Sequence, residues 1–233
     1  MPQRSPLSPS LLAGACALAA VPAAWLALAA DTLCGGLVGA ALGFGWSGIA
    51  IGPTFTPTAA RAWAGSHAPL AWAIALLAGP TGAALLGLAL VVLTRTLRSS
   101  AWLRVLALEW IAFAGLRVPA LLAAAAMPHG SGPMDALYRV LGDPQSGRWA
   151  VVLLALLLLW GVAALVSRLA LATGGDWMRV DGRGFRRHLV RIVAGYPSLL
   201  ALAAWSLLAP WAPWPWAAGW LLLGLAALHA LTP

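Results

Sequence analysis

Six apolar runs, at residues 11–30, 69–93, 103–126, 149–172, 192–209 and 214–231, dominate what this chain can fold into. Each is about the ~20 residues that a helix needs to cross ~30 Å of hydrocarbon. Only helices and closed barrels satisfy their backbones in that medium. Runs of this length without period-two alternation predict helices. A seventh stretch, 33–52, is apolar but glycine-rich, and it either spans or re-enters. The predicted fold class is therefore all-α: a polytopic transmembrane helix bundle of six long spans plus one Gly-rich re-entrant or seventh segment. Only 9% of the residues are charged, against about 25% in soluble domains. That excludes an ordinary cytosolic enzyme, a disordered chain and a secreted disulfide scaffold. The expectation is a single integral membrane domain over 1–233, with ten polar N-terminal residues and a basic loop at 173–191.

The net charge of +8 rests on arginine alone, because the chain has no lysine. These arginines flank apolar runs, where they set orientation and meet anionic headgroups, so no nucleic-acid partner is expected. Arg95, Arg98 and Arg104 mark the 94–104 loop; Arg168, Arg179, Arg183, Arg186, Arg187 and Arg191 surround 173–191. Two spans separate these loops, so they share a side, and the positive-inside rule makes it cytoplasmic. The C-terminus is then cytoplasmic too. A re-entrant seventh segment puts ten arginines inside against three outside; a spanning one gives nine against four. Arg4 and the Ala27-Leu28-Ala29 stretch are similar to a signal peptide. The run's length and Pro22 favour an uncleaved anchor. Arginine-only, alanine-rich composition fits a bacterial inner membrane. Arg179, Arg183, Arg186 and Arg187 are expected to contact lipid or a partner.

Small residues recur every four positions: Gly35, Gly39, Gly43 and Ser47, and again Gly79, Ala83 and Gly87. Such ridges let helix backbones approach closely in lipid. Glu109 and Arg117 lie inside one apolar run, each costing on the order of 2.5–3.5 kcal/mol near a bilayer centre. Their eight-residue offset, ~12 Å along a helix, is too long for a direct pair, so each needs a partner elsewhere. The carbonyl of Gly115, freed by Pro119, is one acceptor for Arg117. These charges fit either a polar clamp between helices or the path of a small proton-coupled carrier. Cys16 and Cys34 match no metal or redox spacing.

The loop residues His129 and Asp135 are an incomplete ligand pair, since zinc takes at least three protein ligands. Ala78-Gly79-Pro80-Thr81 through Leu85-Leu86-Gly87, followed by Pro133-Met134-Asp135-Ala136, resembles site-2-protease-type intramembrane zinc metallopeptidases over about residues 25–165. That resemblance implies a third zinc ligand at Asp135 and a metal-binding helix at Asp31 through Gly43-Phe44. The departures are specific. HExxH is absent; Asp31, Thr32 and Gly35 stand where the family carries histidine, glutamate and histidine, and Ala136 replaces a glycine. Losing a ligand together with the general base removes hydrolysis. A divergent metal site would rest on Asp31, His129 and Asp135. A second resemblance, Gly45-Trp46-Ser47-Gly48 with His229, is to rhomboid-type serine proteases, which place this serine after three spans rather than one. The sequence reading is a non-catalytic scaffold or accessory subunit, an inactive metallopeptidase-like protein. No cofactor is predicted and zinc is not expected. Its partners are the bilayer and other membrane subunits.

Overall fold

The computed structural model describes residues 9–51, 57–59, 69–97, 100–126, 138–140, 145–174 and 183–197. Four long helices account for most of them: α1 (Pro9–Ala41), α2 (Pro69–Thr96), α3 (Ala101–Ala125) and α4 (Gln145–Gly174). Each contains a stretch long and apolar enough to cross a membrane: Leu11–Ala41, Pro69–Thr96, Trp102–Ala123 and Gly147–Thr173. A short helix, α5 (Arg183–Val190), runs directly into a π-helical turn, Arg191–Gly195. A hairpin is also present, of β1 (Ile49–Ile51) and β2 (Pro57–Ala59), antiparallel, with Ala50 opposite Thr58. The chain is thus mainly helical, as expected. The expected span at 214–231 and most of that at 192–209 lie outside the described residues.

The helices are patterned for oil outside and close contact inside. Along α1 the buried positions are Leu12, Cys16, Ala19, Ala20, Ala23, Ala27 and Ala30, continuing to Gly35 and Gly39. The opposite face exposes Leu11, Leu18, Val21, Trp25, Leu33 and Leu37. In water the large aliphatics would turn inward. In lipid, burying them gains nothing, and small side chains that let backbones touch are selected for the interior. Both α2 and α4 repeat the scheme, with Ala73, Ala75, Ala83 and then Ala155, Ala163, Ala170 buried while Leu85, Leu86, Leu153 and Leu157 face out. Helix α3 differs: 61% of its apolar window is buried, against 28–39% for the others. It is also the helix that carries Glu109 and Arg117, so the most costly side chains sit on the segment least exposed to lipid.

Two compact units divide the chain. One comprises Trp25–Gly87 and Ala114–Leu159. In it α1 and α2 cross on glycine. A Cβ added at Gly35 would stand 3.3 Å from the carbonyl oxygen of Ala75 and 3.4 Å from Cα of Gly79. One added at Gly82 would meet Sγ of Cys34 at 2.6 Å, and one at Gly79 would fall on the carboxylate of Asp31. Gly39 lies against Phe44 and Ala75. Farther along, Ala73 of α2 packs with Leu76, Leu77, Leu121 and Val140.

Two expectations about the 33–52 segment are corrected here. It is not a separate helix: its first part is the end of α1, which runs unbroken through Asp31 to Ala41. Gly43 does not extend the glycine ridge either. The backbone N–H groups of Leu42 and Gly43 close the last turn onto Val38 and Ala40, and Gly43 has φ +86°. A left-handed residue just past the last turn terminates a helix, and glycine takes that conformation without steric cost. The chain then folds back. The N–H of Phe44 donates to the carbonyl of Gly39 at 2.9 Å, and the Trp46 indole lies on Gly36, where a Cβ would collide with it.

The other unit comprises Met1–Ala24, Leu88–Phe113 and Trp160–Pro233. Its interior includes Cys16, Val105, Leu108, Phe113 and Val166, with Leu189, Val190 and Ile192–Ala194 closing it. The 173–191 loop is corrected in its second half, because Arg183–Val190 is helical. The widened turn that follows carries the Tyr196 N–H to Arg191 O and ends two residues before buried Pro197. A proline ring clashes with the carbonyl four residues back in an α-helix, and a π turn relieves that clash.

Alanine substitutions separate this packing from composition alone. Gly79→Ala is expected to lower thermal stability in detergent by about 1–3 kcal/mol, the usual cost of overpacking. Gly14→Ala and Gly161→Ala, where a Cβ meets nothing within 4 Å, are expected to be neutral or stabilising by up to about 1 kcal/mol from helix propensity. Equal effects at all three positions would contradict the crossing.

Candidate functional site

An ion pair joins two helices: Nη1 of Arg117 on α3 meets Oδ2 of Asp31 on α1. Both belong to the unit built from Trp25–Gly87 and Ala114–Leu159. The Arg117 side chain is 23% exposed and that of Asp31 15%, so most of each is withdrawn from the surface. Sequence places the two charges comparably along their helices. Asp31 is ten residues before Ala41 and Arg117 eight before Ala125, or ~15 Å and ~12 Å from those ends at 1.5 Å per residue.

Gly79 admits the pair, and the local sequence shapes its surroundings. Gly79 leaves room for Oδ1 of Asp31 where any larger residue would occupy it. Pro80 follows inside α2, and Pro119 lies two residues beyond Arg117 in α3. Each proline removes a backbone donor and leaves a carbonyl four residues earlier without its helical partner. Next to Asp31, the Thr32 hydroxyl donates to Leu28 O at 2.9 Å, back along its own helix. Past the helix end, Phe44 meets Trp72 of α2 edge-on with ring centroids 4.6 Å apart. Such a contact contributes about 0.5–1.5 kcal/mol beyond buried area and fixes the turn against α2.

The remaining sequence candidates distribute as follows. Ser47 is exposed in the turn after α1, and His229 lies outside the described residues, so no dyad geometry is available for them. His129, Asp135 and Arg179 also lie outside. Asp31 is brought to Arg117, and among the described residues no group of three potential metal ligands occurs. Glu109 is buried in α3 at 1% exposure, in the other unit, within electrostatic range of Cys16. Of the small residues, Gly35, Gly39 and Gly79 line the α1–α2 crossing, Ala83 and Gly87 are buried on α2, and Gly43 caps α1. Arg186 is exposed and Arg187 half-buried on α5.

Sequence reasoning missed that Asp31 is the partner Arg117 requires. The signal was present as two opposite charges, each inside an apolar run. It was obscured by dividing the first run at the acid. A further contact missed is at the start of α4, where Arg148 donates to Tyr138 Oη at 3.0 Å with its guanidinium 5.8 Å from the ring centre. That ties the helical turn at 138–140 to α4.

Chemically, a guanidinium stays protonated under any biological condition, so the Asp31 carboxylate faces a permanent cation. The arrangement suits a clamp between helices better than a metal ligand, whose lone pairs must be available to the ion. Comparison with protein-family models, curated proteins and solved structures gave no match.

A double-mutant cycle tests the clamp. Asp31→Asn or Arg117→Gln alone is expected to cost about 3 kcal/mol, because each leaves a withdrawn charge or donor group uncompensated. The double substitution is expected to cost less than the sum, with a coupling energy above about 1 kcal/mol in detergent unfolding. Additive losses would show that the two charges act separately.

Proposed function

We propose that this chain is a non-catalytic, multi-pass membrane protein that serves as a scaffold or accessory subunit, resembling a site-2-type metallopeptidase whose metal chemistry has been replaced by a structural ion pair. The observation that carries the reading is the Asp31–Arg117 contact. The resemblance puts a metal ligand at position 31. A carboxylate there that is committed to a cation on α3 ties two helices together and leaves the position unsuited to a metal. Thr32, standing where that family has its glutamate base, has a hydroxyl turned back to Leu28; it is too weakly basic to replace a carboxylate in deprotonating metal-bound water.

The proposed topology follows from α1 as one crossing. Between Ala41 and Pro69 the described residues form a turn and a hairpin, so α2 starts on the side where α1 ends. Alternation then puts the N-terminus, the α2–α3 connection and α5 on one side. With the last two apolar runs counted as spans, ten arginines lie on that side and three on the other. The positive-inside rule makes the richer side cytoplasmic, in a bacterial inner membrane.

Two measurements on the protein purified in mild detergent test the reading. Elemental analysis is expected to find zinc well below one equivalent, and size-exclusion with mass spectrometry is expected to find stoichiometric partner subunits. One equivalent of zinc that is lost in Asp31→Asn would overturn the proposal in favour of a divergent metalloprotease. A lone monomer with no partner would overturn the subunit role.

A further inference from the structure

The start of α5 lacks a component that its own residues cannot supply. This helix contains Arg183, Arg186, Arg187 and His188 and no acidic residue. Its burial changes abruptly along its length: Gly184, Arg186 and His188 are exposed, whereas Leu189, Val190 and Ile192–Gly195 are buried. A charged, wet beginning therefore passes within one turn into an apolar interior, and the sequence continues as an apolar run to residue 209. At that boundary sits Arg187, half-buried, with its Nε buried and donating to no acceptor among the described residues. An unmet buried donor costs about 1–3 kcal/mol, more when charged. That cost falls if the guanidinium turns to meet an anion with several acceptor oxygens.

The anion available where a helix passes from water into an apolar medium is a phospholipid phosphate. A guanidinium matches it well, since its planar fork donates two parallel hydrogen bonds to one phosphate. We propose that Arg186 and Arg187, with His188 beside them, form a headgroup site whose guanidinium groups bind the phosphodiester of an anionic phospholipid. The site anchors the start of the fifth apolar segment at headgroup depth. It rests on the membrane placement of the chain and is independent of the scaffold reading and of the Asp31–Arg117 clamp.

Native mass spectrometry of the full-length protein, with phosphatidylglycerol or phosphatidylcholine added to the detergent, tests this directly. Phosphatidylglycerol is expected to be retained at least fivefold more than phosphatidylcholine. Arg186→Gln and Arg187→Gln are each expected to weaken retention roughly fivefold, the effect of one cation near a lipid surface. Arg187→Lys keeps the charge but loses the planar fork, and is expected to bind less than the parent. Arg139→Gln, in the other unit, should leave retention unchanged. Because Arg186 is exposed, its variant reports on the site even if Arg187→Gln does not fold. Equal retention of the two lipids, or no loss in Arg186→Gln, would overturn the proposal. Displacement of phosphatidylglycerol by millimolar inorganic phosphate alone would show a soluble-anion site and overturn the lipid assignment.

Discussion

A carboxylate and a guanidinium inside apolar helices are tolerable only together. Each alone imposes an insertion cost of on the order of 2.5–3.5 kcal/mol near the bilayer centre, and the pair recovers much of it through a charge-assisted contact in a medium of low dielectric. For Asp31 and Arg117 to meet, α1 must present its acid toward α3 while α2 passes close beside it. Gly79 makes the second condition possible, because anything larger would occupy the carboxylate's position. Gly35 extends the same close approach one turn farther. The small-residue seam and the ion pair are thus one device: the seam brings backbones together without help from apolar burial, and the charges fix which faces meet.

That device bears on function through substitution at one position. In a metallopeptidase-like arrangement, position 31 would donate electrons to a metal and position 32 would supply a base. Here the first is occupied by a cation on α3 and the second turns its hydroxyl back to its own helix. A carboxylate of the kind that metal sites use is joined here to a guanidinium on another helix. The fold needs it for that contact, and the resulting surface of exposed leucine, valine and tryptophan is suited to lipid and to neighbouring helices.

Much of the architecture was legible in the chain. Apolar runs of about twenty residues can only be helices in lipid, and the spacing of Gly35, Gly39, Gly79 and Ala83 identified a face on α1 and α2 that is buried. What misled was treating local rules as complete. Hydropathy divided the first run at Asp31, since a lone acid ends an apolar run; α1 continues through it because the compensating charge arrives from residue 117, far away in sequence. The four-residue ridge was carried on to Gly43, although Ala41-Leu42-Gly43 is also a helix stop, and spacing alone does not say where a helix ends. Arg183–Val190 read as loop because it has few apolar residues, yet it is helical, continuous with the buried residues that follow. In each case the deciding information was a tertiary contact or a cap rather than a propensity.

Cross-linking in intact membranes addresses the central claim with the fewest assumptions. Gly82→Cys puts a thiol on α2 against Cys34 of α1, whose Cβ and sulfur both lie 2.6 Å from the position of the new Cβ, so the helices part by about 1 Å to reach the ~3.5–4.5 Å Cβ–Cβ spacing of a disulfide; Cys16, buried in the other unit, is removed as Cys16→Ser. Mild oxidation is expected to link positions 34 and 82 in nearly all molecules, and to do so far less when Asp31→Asn is added, because the clamp that holds the seam is gone. Failure to link these positions while both thiols remain reactive would contradict the α1–α2 crossing. Efficient linking that Asp31→Asn leaves unchanged would contradict the ion pair's place at its centre.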